Sequence, residues 1–315
     1  MARAAAGWHR GSRPPGGSAY EASLRQRGSL TIWFCDEAIQ AWRAAPRTTR
    51  GGQPRYSAVA IETALTLRAL FHMAFRQTEG LIGSLMQLLQ LDLPVPDHTT
   101  LSRRARTLAV PIRPWTAGPW HLLVDSTGLK LSGPGEWLVE KHGSKTRRSW
   151  RKFHVGVDAG TGQIVALALT TPDVDDASQV GPLLDQVNAP VEVLIGDGGY
   201  DRTDVYAAVS ACHPEAAVIA PPRRDAALSA TAEAAPTQRD RHLLAIAETG
   251  RMAWQRTSGY NARAKAEAAI ARYKQVIGDR LRAHSDDGRR TELMIAANLL
   301  NCMFGLARPS YVRVS

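Results

Sequence analysis

The chain has 315 residues, 44% of them hydrophobic, enough for one sizeable core plus a smaller domain and too apolar a composition for a disordered chain. A formal net charge of +10 and a pI near 9.9 point to a polyanionic partner, nucleic acid first, because Lys and Arg that meet phosphates release condensed counterions; an Arg-rich soluble protein is the plainer alternative. Cys35, Cys212 and Cys302 are far apart, odd in number and lack CxxC spacing, so they signal neither a disulfide framework nor a zinc knuckle, and no run reaches the roughly 18 apolar residues of a membrane span.

Residues 1–28 are basic, with Arg3, Arg10 and Arg13 and no acid before Glu21, and Pro and Gly break them where a signal peptide needs an apolar region. They read as a disordered arm of a cytoplasmic protein that is neither exported nor bound to a membrane. Residues 29–112 then form a small all-helical domain: AIETALTLRALFHMAF puts Ala60, Ala64, Leu67, Leu70, Phe71 and Ala74 on one stripe, and LIGSLMQLLQL continues it. Upstream of both, RAAPRTTRGGQPRYS is a basic loop. In LDLPVPDHTTLSRRARTL, Asp97 or Thr99 caps a helix carrying Arg103, Arg104 and Arg106. A short turn followed by a basic helix is how a helix-turn-helix module meets DNA, so Arg103 and Arg104 are candidate DNA contacts; a solvated basic helix has the same pattern.

Three prolines in PIRPWTAGPW put the domain boundary at residues 111–120. The second domain, residues 118–308, opens with HLLVDS (121–126), WRKFHVGVD (150–158) and IVALALT (164–170), read as three antiparallel strands with AGTGQ as a hairpin turn. PDVDDASQVGPLLDQV reads as a helix capped by Asp175 or Asp176, VEVLIGDGGYD as a buried strand running into a Gly-rich turn, YDRTDVYAAVSA as a helix and AAVIAPP as a strand. This order predicts an α/β layer on a mixed sheet, with the strand that ends at Asp197 beside the strand that ends at Asp125 and both acids at carboxyl ends. Residues 223–240 read as a long mobile loop or a short inserted helix. RHLLAIAETGRMAWQRTSG is helical, TELMIAANLLNCMFGL is an amphipathic helix that covers the sheet, and residues 309–315 are a tail.

YNARAKAEAAIARYK (260–274) is Ala-rich and helical, with Tyr260, Arg263, Glu267 and Lys274 on one face at offsets of 3, 4 and 7. Alone, Arg263 and Glu267 read as an i,i+4 ion pair of roughly 0.3–0.5 kcal/mol. In combination with Asp125 and Asp197, each followed by small residues that leave room for a phosphate, Glu267 supplies a third hard oxygen ligand. Such a set suits two Mg²⁺ ions, with Mn²⁺ as a substitute, and phosphoryl transfer on a nucleic acid backbone. GDGGYD lacks the third glycine of a dinucleotide loop. His142, His154 and His213 have no zinc spacing and read as structural or DNA-contacting residues. Arg147, Arg148, Arg151 and Lys152 around Trp150 read as a basic strip that tracks DNA, with a solvated hairpin as the alternative, and Trp254 as a core residue.

These residues resemble the DDE transposases of bacterial insertion sequences, specifically the insertion-sequence-five type within the insertion-sequence-four superfamily, over roughly residues 28–308. The pieces are LTIWFCDEAIQAW (30–42), DSTGLK (125–130), GEWLVEKHG…RRSWRKFHVGVD (within 135–158), GDGGYD (196–201) and the Y-x2-R-x3-E-x6-K pattern at Tyr260, Arg263, Glu267 and Lys274. The resemblance implies an RNase H-like core, metal-binding and catalytic roles for Asp125, Asp197 and Glu267, and phosphate handling by Tyr260, Arg263 and Lys274. Asp125 and Asp197 are 72 residues apart and Asp197 and Glu267 are 70 apart, too few for the large insertion some relatives carry between the last two.

The expected protein is thus a nucleoid-associated transposase that binds the inverted repeats at the ends of its element and cuts and rejoins double-stranded DNA as a homo-oligomer. A catalytically silent DNA-binding repressor or domesticated remnant, and a metal-dependent nuclease that never joins strands, are the alternatives.

Overall fold

The structure is a computed structural model that describes residue 25 and residues 34–48, 50–114, 118–132 and 150–306. The basic arm, the C-terminal tail, His142, Arg147 and Arg148 fall outside the described residues, apart from Arg25 within the arm.

The helical layer comprises α1 (Asp36–Gln40), α2 (Ala58–Leu70), α3 (Phe75–Leu88) and α4 (His98–Arg104). Ser57 caps α2 by accepting the Ala60 N–H, and Asp97 caps α4 by accepting the Thr100 N–H at 2.9 Å. Trp42, Ile61, Leu67, Ile82 and Leu101 fill the core, with Trp42 Nε1 donating to the Pro94 carbonyl at 2.9 Å. As expected, the described residues of RAAPRTTRGGQPRYS are not helical. Among the described residues no single helix is long and apolar enough to cross a membrane; α2 and α3 together are, but they meet at 111°.

The sheet contains β1 (Trp120–Leu131), β2 (Trp150–Asp158), β3 (Ile164–Thr170), β4 (Val191–Ile195), β5 (Ala217–Ile219) and β6 (Arg280–Leu281). Its order is β3-β2-β1-β4-β5, with β6 added to the far end of β1. β1, β2 and β3 are antiparallel, while β4 pairs parallel to β1 and β5 parallel to β4. This mixed sheet with helices on both faces is an RNase H-like α/β fold.

Side chains alternate along β1. Leu122 and Val124 face a core built with α5 (Val180–Leu184) and α6 (Thr203–Cys212). Leu123, Leu129 and Leu131 face one built with α9 (Ala264–Val276) and α10 (Asp286–Leu306). α10 covers the sheet as its pattern predicts and also reaches the helical layer. Ile295 lies in the Trp42 core, and the Asn298 amide bonds the backbone at Pro111 and Arg113.

Two local expectations need correction, and a third is narrowed to one of its alternatives. β1 runs past Asp125 to Leu131, so Asp125 is mid-strand rather than at a carboxyl end. The helix after β3 is only a 3-10 turn (Ala177–Gln179) plus the five-residue α5; Asp176 takes the N-cap position, as expected, but its side chain makes no capping bond and pairs with Lys152 instead, while Asp175 pairs with Arg202. The 223–240 segment has no helix before α7 (Gln238–Thr249); the buried Asp240 carboxylate ties it together by accepting from Ser229 and Thr237. α7 runs into α8 (Arg251–Thr257) through Gly250, whose φ of 84° ends the first helix.

Next to this segment, Arg239 grips Asp201 with two hydrogen bonds of 2.8 and 3.0 Å, the Asp201 side chain being fully buried. Asp201→Ala strands the half-buried guanidinium and is expected to cost about 3 kcal/mol, read as a lower urea midpoint at unchanged m-value.

Candidate active site

The alternation that puts Leu123 and Leu129 against α9 also directs Asp125 and Thr127 to that side. Asp125 lies two residues beyond the last β1–β4 backbone pair, where β1 continues and β4 stops, and the Ser126 N–H donates to its Oδ1 at 2.9 Å. The chain leaves β4 through Gly196 and puts Asp197 at the start of a 3-10 turn (Gly198–Tyr200), where its Oδ1 accepts the Gly199 N–H at 2.8 Å. Two glycines permit this turn. A Cβ on Gly196 would lie 2.7 Å from the Tyr200 ring, and one on Gly199 would lie 2.9 Å from Asp197 Oδ1.

Opposite them, Gly259 with φ 81° starts a 3-10 turn (Tyr260–Arg263) that leads into α9. Glu267 is in the first turn of α9, and Arg263 just before it. The Arg263 guanidinium is the hub of the cluster: its nitrogens lie 2.6 Å from Glu267 Oε1, 3.5 Å from Asp125 Oδ2 and 3.8 Å from Asp197 Oδ2. The simple i,i+4 pair therefore exists, but the same guanidinium also faces both aspartates. Three turns along α9, Lys274 Nζ donates to Thr127 Oγ1 at 2.6 Å, next to Asp125 on the same face of β1. The Tyr260 ring leans on the buried Trp254, whose indole N–H donates to His242, so Trp254 has the core role expected of it.

Burial works against a charge on Asp125 and lifts its carboxyl above the usual range; the Ser126 N–H and Arg263 oppose the lift, and Asp197 and Glu267 add to it. Burial also disfavours the Arg263 cation, but Asp125, Tyr260, Glu267 and Asp197 together hold its pKa above the ordinary value. Its Nε is buried without a partner. An all-oxygen, triply anionic set that gathers round a cation matches what a hard divalent ion requires. Among the described residues, however, no three acids stand close enough together to share one ion while the guanidinium lies between them. For these residues to hold a metal, Arg263 must turn aside.

The other candidates are more dispersed. Arg103 is exposed on α4, and Arg104 is partly covered. Arg151 pairs with Asp286 at 3.5 Å, and Lys152 Nζ bonds the Val174 carbonyl and Asp176, so both charges are already met inside the fold. His154 is wholly buried and shares a 2.7 Å hydrogen bond with Thr170, which leaves no surface for DNA; the Val191 N–H donates to His213 Nδ1. Thr127 was missed in the sequence; its only signal is the two-residue offset from Asp125.

The topology defines the class: an RNase H-like α/β protein with a carboxylate cluster where its central strands part. Two family models, each described as "Transposase DDE domain", match residues 25–134 and residues 116–302, the latter more than half of the chain. The chain belongs to the DDE transposase family, whose members are polynucleotidyl transferases and generally use divalent metal ions. Similar solved structures include a piggyBac transposase synaptic complex with hairpin DNA, 10% identical, with 93% of this chain and 77% of that chain covered at a TM-score of 0.37. Another is the Mos1 strand transfer complex, 11% identical, with 83% and 82% covered at a TM-score of 0.21.

Proposed function

We propose that this transposase, of the insertion-sequence-five type, binds the terminal inverted repeats of its element in the bacterial cytoplasm. There it hydrolyses the element's ends to free a 3′-hydroxyl and directs that hydroxyl at target DNA as a homo-oligomer. The single observation behind the reading is that Asp125, Asp197 and Glu267, far apart in the chain, meet around one guanidinium at the end of the β1–β4 ladder.

In this reading the three carboxylates are the metal ligands. Two Mg²⁺ ions, or Mn²⁺ in their place, would supply Lewis-acid charge to the phosphoryl oxygens. Ser126 and Gly199 hold two of the carboxylates in place through their N–H groups. Tyr260, Arg263 and Lys274 bind phosphate oxygens beside the scissile bond, Arg263 doing so once it swings out of the acids. Arg103 and Arg104 meet the DNA ends from α4. Arg148 has the same proposed role, whereas Arg151 and Lys152 must first release Asp286 and Asp176.

Labelled duplex from the DNA flanking the protein's own gene tests the reading. The expected result is magnesium-dependent nicking at one defined end, followed by joined products on a sequencing gel. Tight binding without cleavage by folded protein, in magnesium or manganese, would favour the repressor or remnant instead. Cleavage with no joined product would favour a nuclease.

A further inference from the structure

A cavity away from the acids lies where the helical layer meets the start of α10. It has room for about 90 Å³ of solvent, and Arg68, Ser102, Arg106, Arg282, Ser285 and Glu292 are among its lining residues. Arg68 comes from α2, Arg106 from just beyond α4, and Arg282 from the turn after β6, so the three arginines converge from segments distant in the chain. Among the described residues none of the three guanidiniums is paired with a carboxylate.

Arg68 stands out among them. Its guanidinium lies 4.2 Å over the Phe75 ring, and its Nε is buried with no hydrogen-bond partner. Burial lowers its pKa; Glu292 opposes that and Arg282 adds to it. Glu292 is the only acid in the lining, and its carboxylate is committed to the N–H groups of Arg282 and Ala283 at 2.8–3.0 Å. Three guanidiniums against one already-bonded carboxylate leave a local excess of positive charge around a polar opening. The cavity shares Phe75, Ser102 and Arg106 with an adjoining open groove that Arg76 and Arg103 also line.

We propose that this cavity is a binding site for a single DNA backbone phosphate, gripped by Arg68, Arg106 and Arg282, with the neighbouring phosphates running along the groove past Arg103 and Arg76. It deepens the reading of the protein as a DNA transposase and rests on it. Planar guanidiniums suit a tetrahedral oxyanion, and phosphate contacts fix register without reading bases. Because its ligands come from both the helical layer and the α10 side, the site fixes the duplex relative to the acid cluster. Sequence reading could not find it, since Arg68 and Arg282 are far apart and share no pattern.

Arg106 and Arg282 are exposed, so the double variant Arg106→Gln/Arg282→Gln should stay folded, checked by its melting curve. Binding of the full-length variant to a labelled duplex is followed by fluorescence anisotropy between roughly 50 and 200 mM salt. Affinity is expected to fall about tenfold, equally for flanking and unrelated DNA, and the slope of log K against log salt to flatten by about 0.9, one phosphate contact. Sodium sulfate, as a phosphate mimic, should raise the melting temperature of the wild type more than chloride of equal ionic strength does, and this excess should shrink in the variant to the general stabilisation that sulfate gives by exclusion from protein surfaces. Unchanged affinity and slope, or a loss confined to flanking DNA, would overturn the proposal while leaving the transposase reading intact. Failure of the wild type to bind any duplex would overturn both.

Discussion

Asp125→Asn is expected to abolish end cleavage and, in the same molecule, to raise the melting temperature. The loss should reach about 10³-fold, equivalent to roughly 4 kcal/mol of transition-state stabilisation, because under the proposed function one of three anionic metal ligands becomes neutral. The stability gain follows from the direction of the Asp125 shift. Burial, with Asp197 and Glu267 nearby, holds its folded carboxyl above the ordinary value of 3.8 despite Ser126 and Arg263. An acid shifted that way favours the fold while protonated and costs stability as pH rises from the unfolded towards the folded value. At neutral pH the cost is present in full, and an amide, which can still accept the Ser126 N–H, removes it. Thermal melts of metal-free protein should therefore show the variant above the wild type at pH 7, with the gap shrinking towards pH 4. A variant that melts below the wild type at pH 7, or still cleaves at a comparable rate, contradicts this account of Asp125.

The second large effect is expected at Arg263. Its guanidinium lies within 3.8 Å of all three carboxylates and stands in for a cation. Arg263→Gln should lower the melting temperature of metal-free protein, since three acids lose their counter-charge. It should also tighten Mn²⁺ binding in the absence of DNA by about tenfold. A full charge at this distance is worth several kcal/mol at an effective dielectric near 20, and exposure of Asp197 and Glu267 to solvent reduces that to about 1.4 kcal/mol. Titration calorimetry with MnCl₂ reads the change directly. Weaker or unchanged binding would mean that Arg263 does not compete with the metal.

Much of this architecture was legible because it leaves local patterns. The two runs joined by the AGTGQ turn gave β2 and β3, the apolar VEVLI gave β4, and the Asp97 cap marked the start of α4. Asp125 and Asp197 could be singled out because each follows a short apolar run and precedes small residues. Where packing overrides local pattern, the reading fell short. Gly128 and Lys130 interrupt the apolar run of β1, yet β2 on one side and the two-residue β6 on the other keep the strand extended to Leu131. Lys152 looked like a surface cation in the sequence, but Asp176, 24 residues away, turns it inward. The same holds for Asp201 with Arg239. Contacts between distant segments carry no period, so only the fold shows them.

The claim that Asp197 is a metal ligand is tested most directly by changing its affinity for metals. Asp197→Cys replaces a hard oxygen donor with a soft sulfur donor, which binds Mg²⁺ poorly and more thiophilic ions such as Mn²⁺ and Cd²⁺ better. The measurement is end cleavage by Asp197→Cys in Mg²⁺ and in Mn²⁺ supplemented with Cd²⁺, with Asp197→Ala alongside and DNA binding confirmed for both. The account predicts a cysteine variant silent in Mg²⁺ that regains cleavage with the thiophilic ions, while the alanine variant stays silent in both. A folded, DNA-binding cysteine variant as active as the wild type in Mg²⁺, or one that no metal rescues, would contradict it.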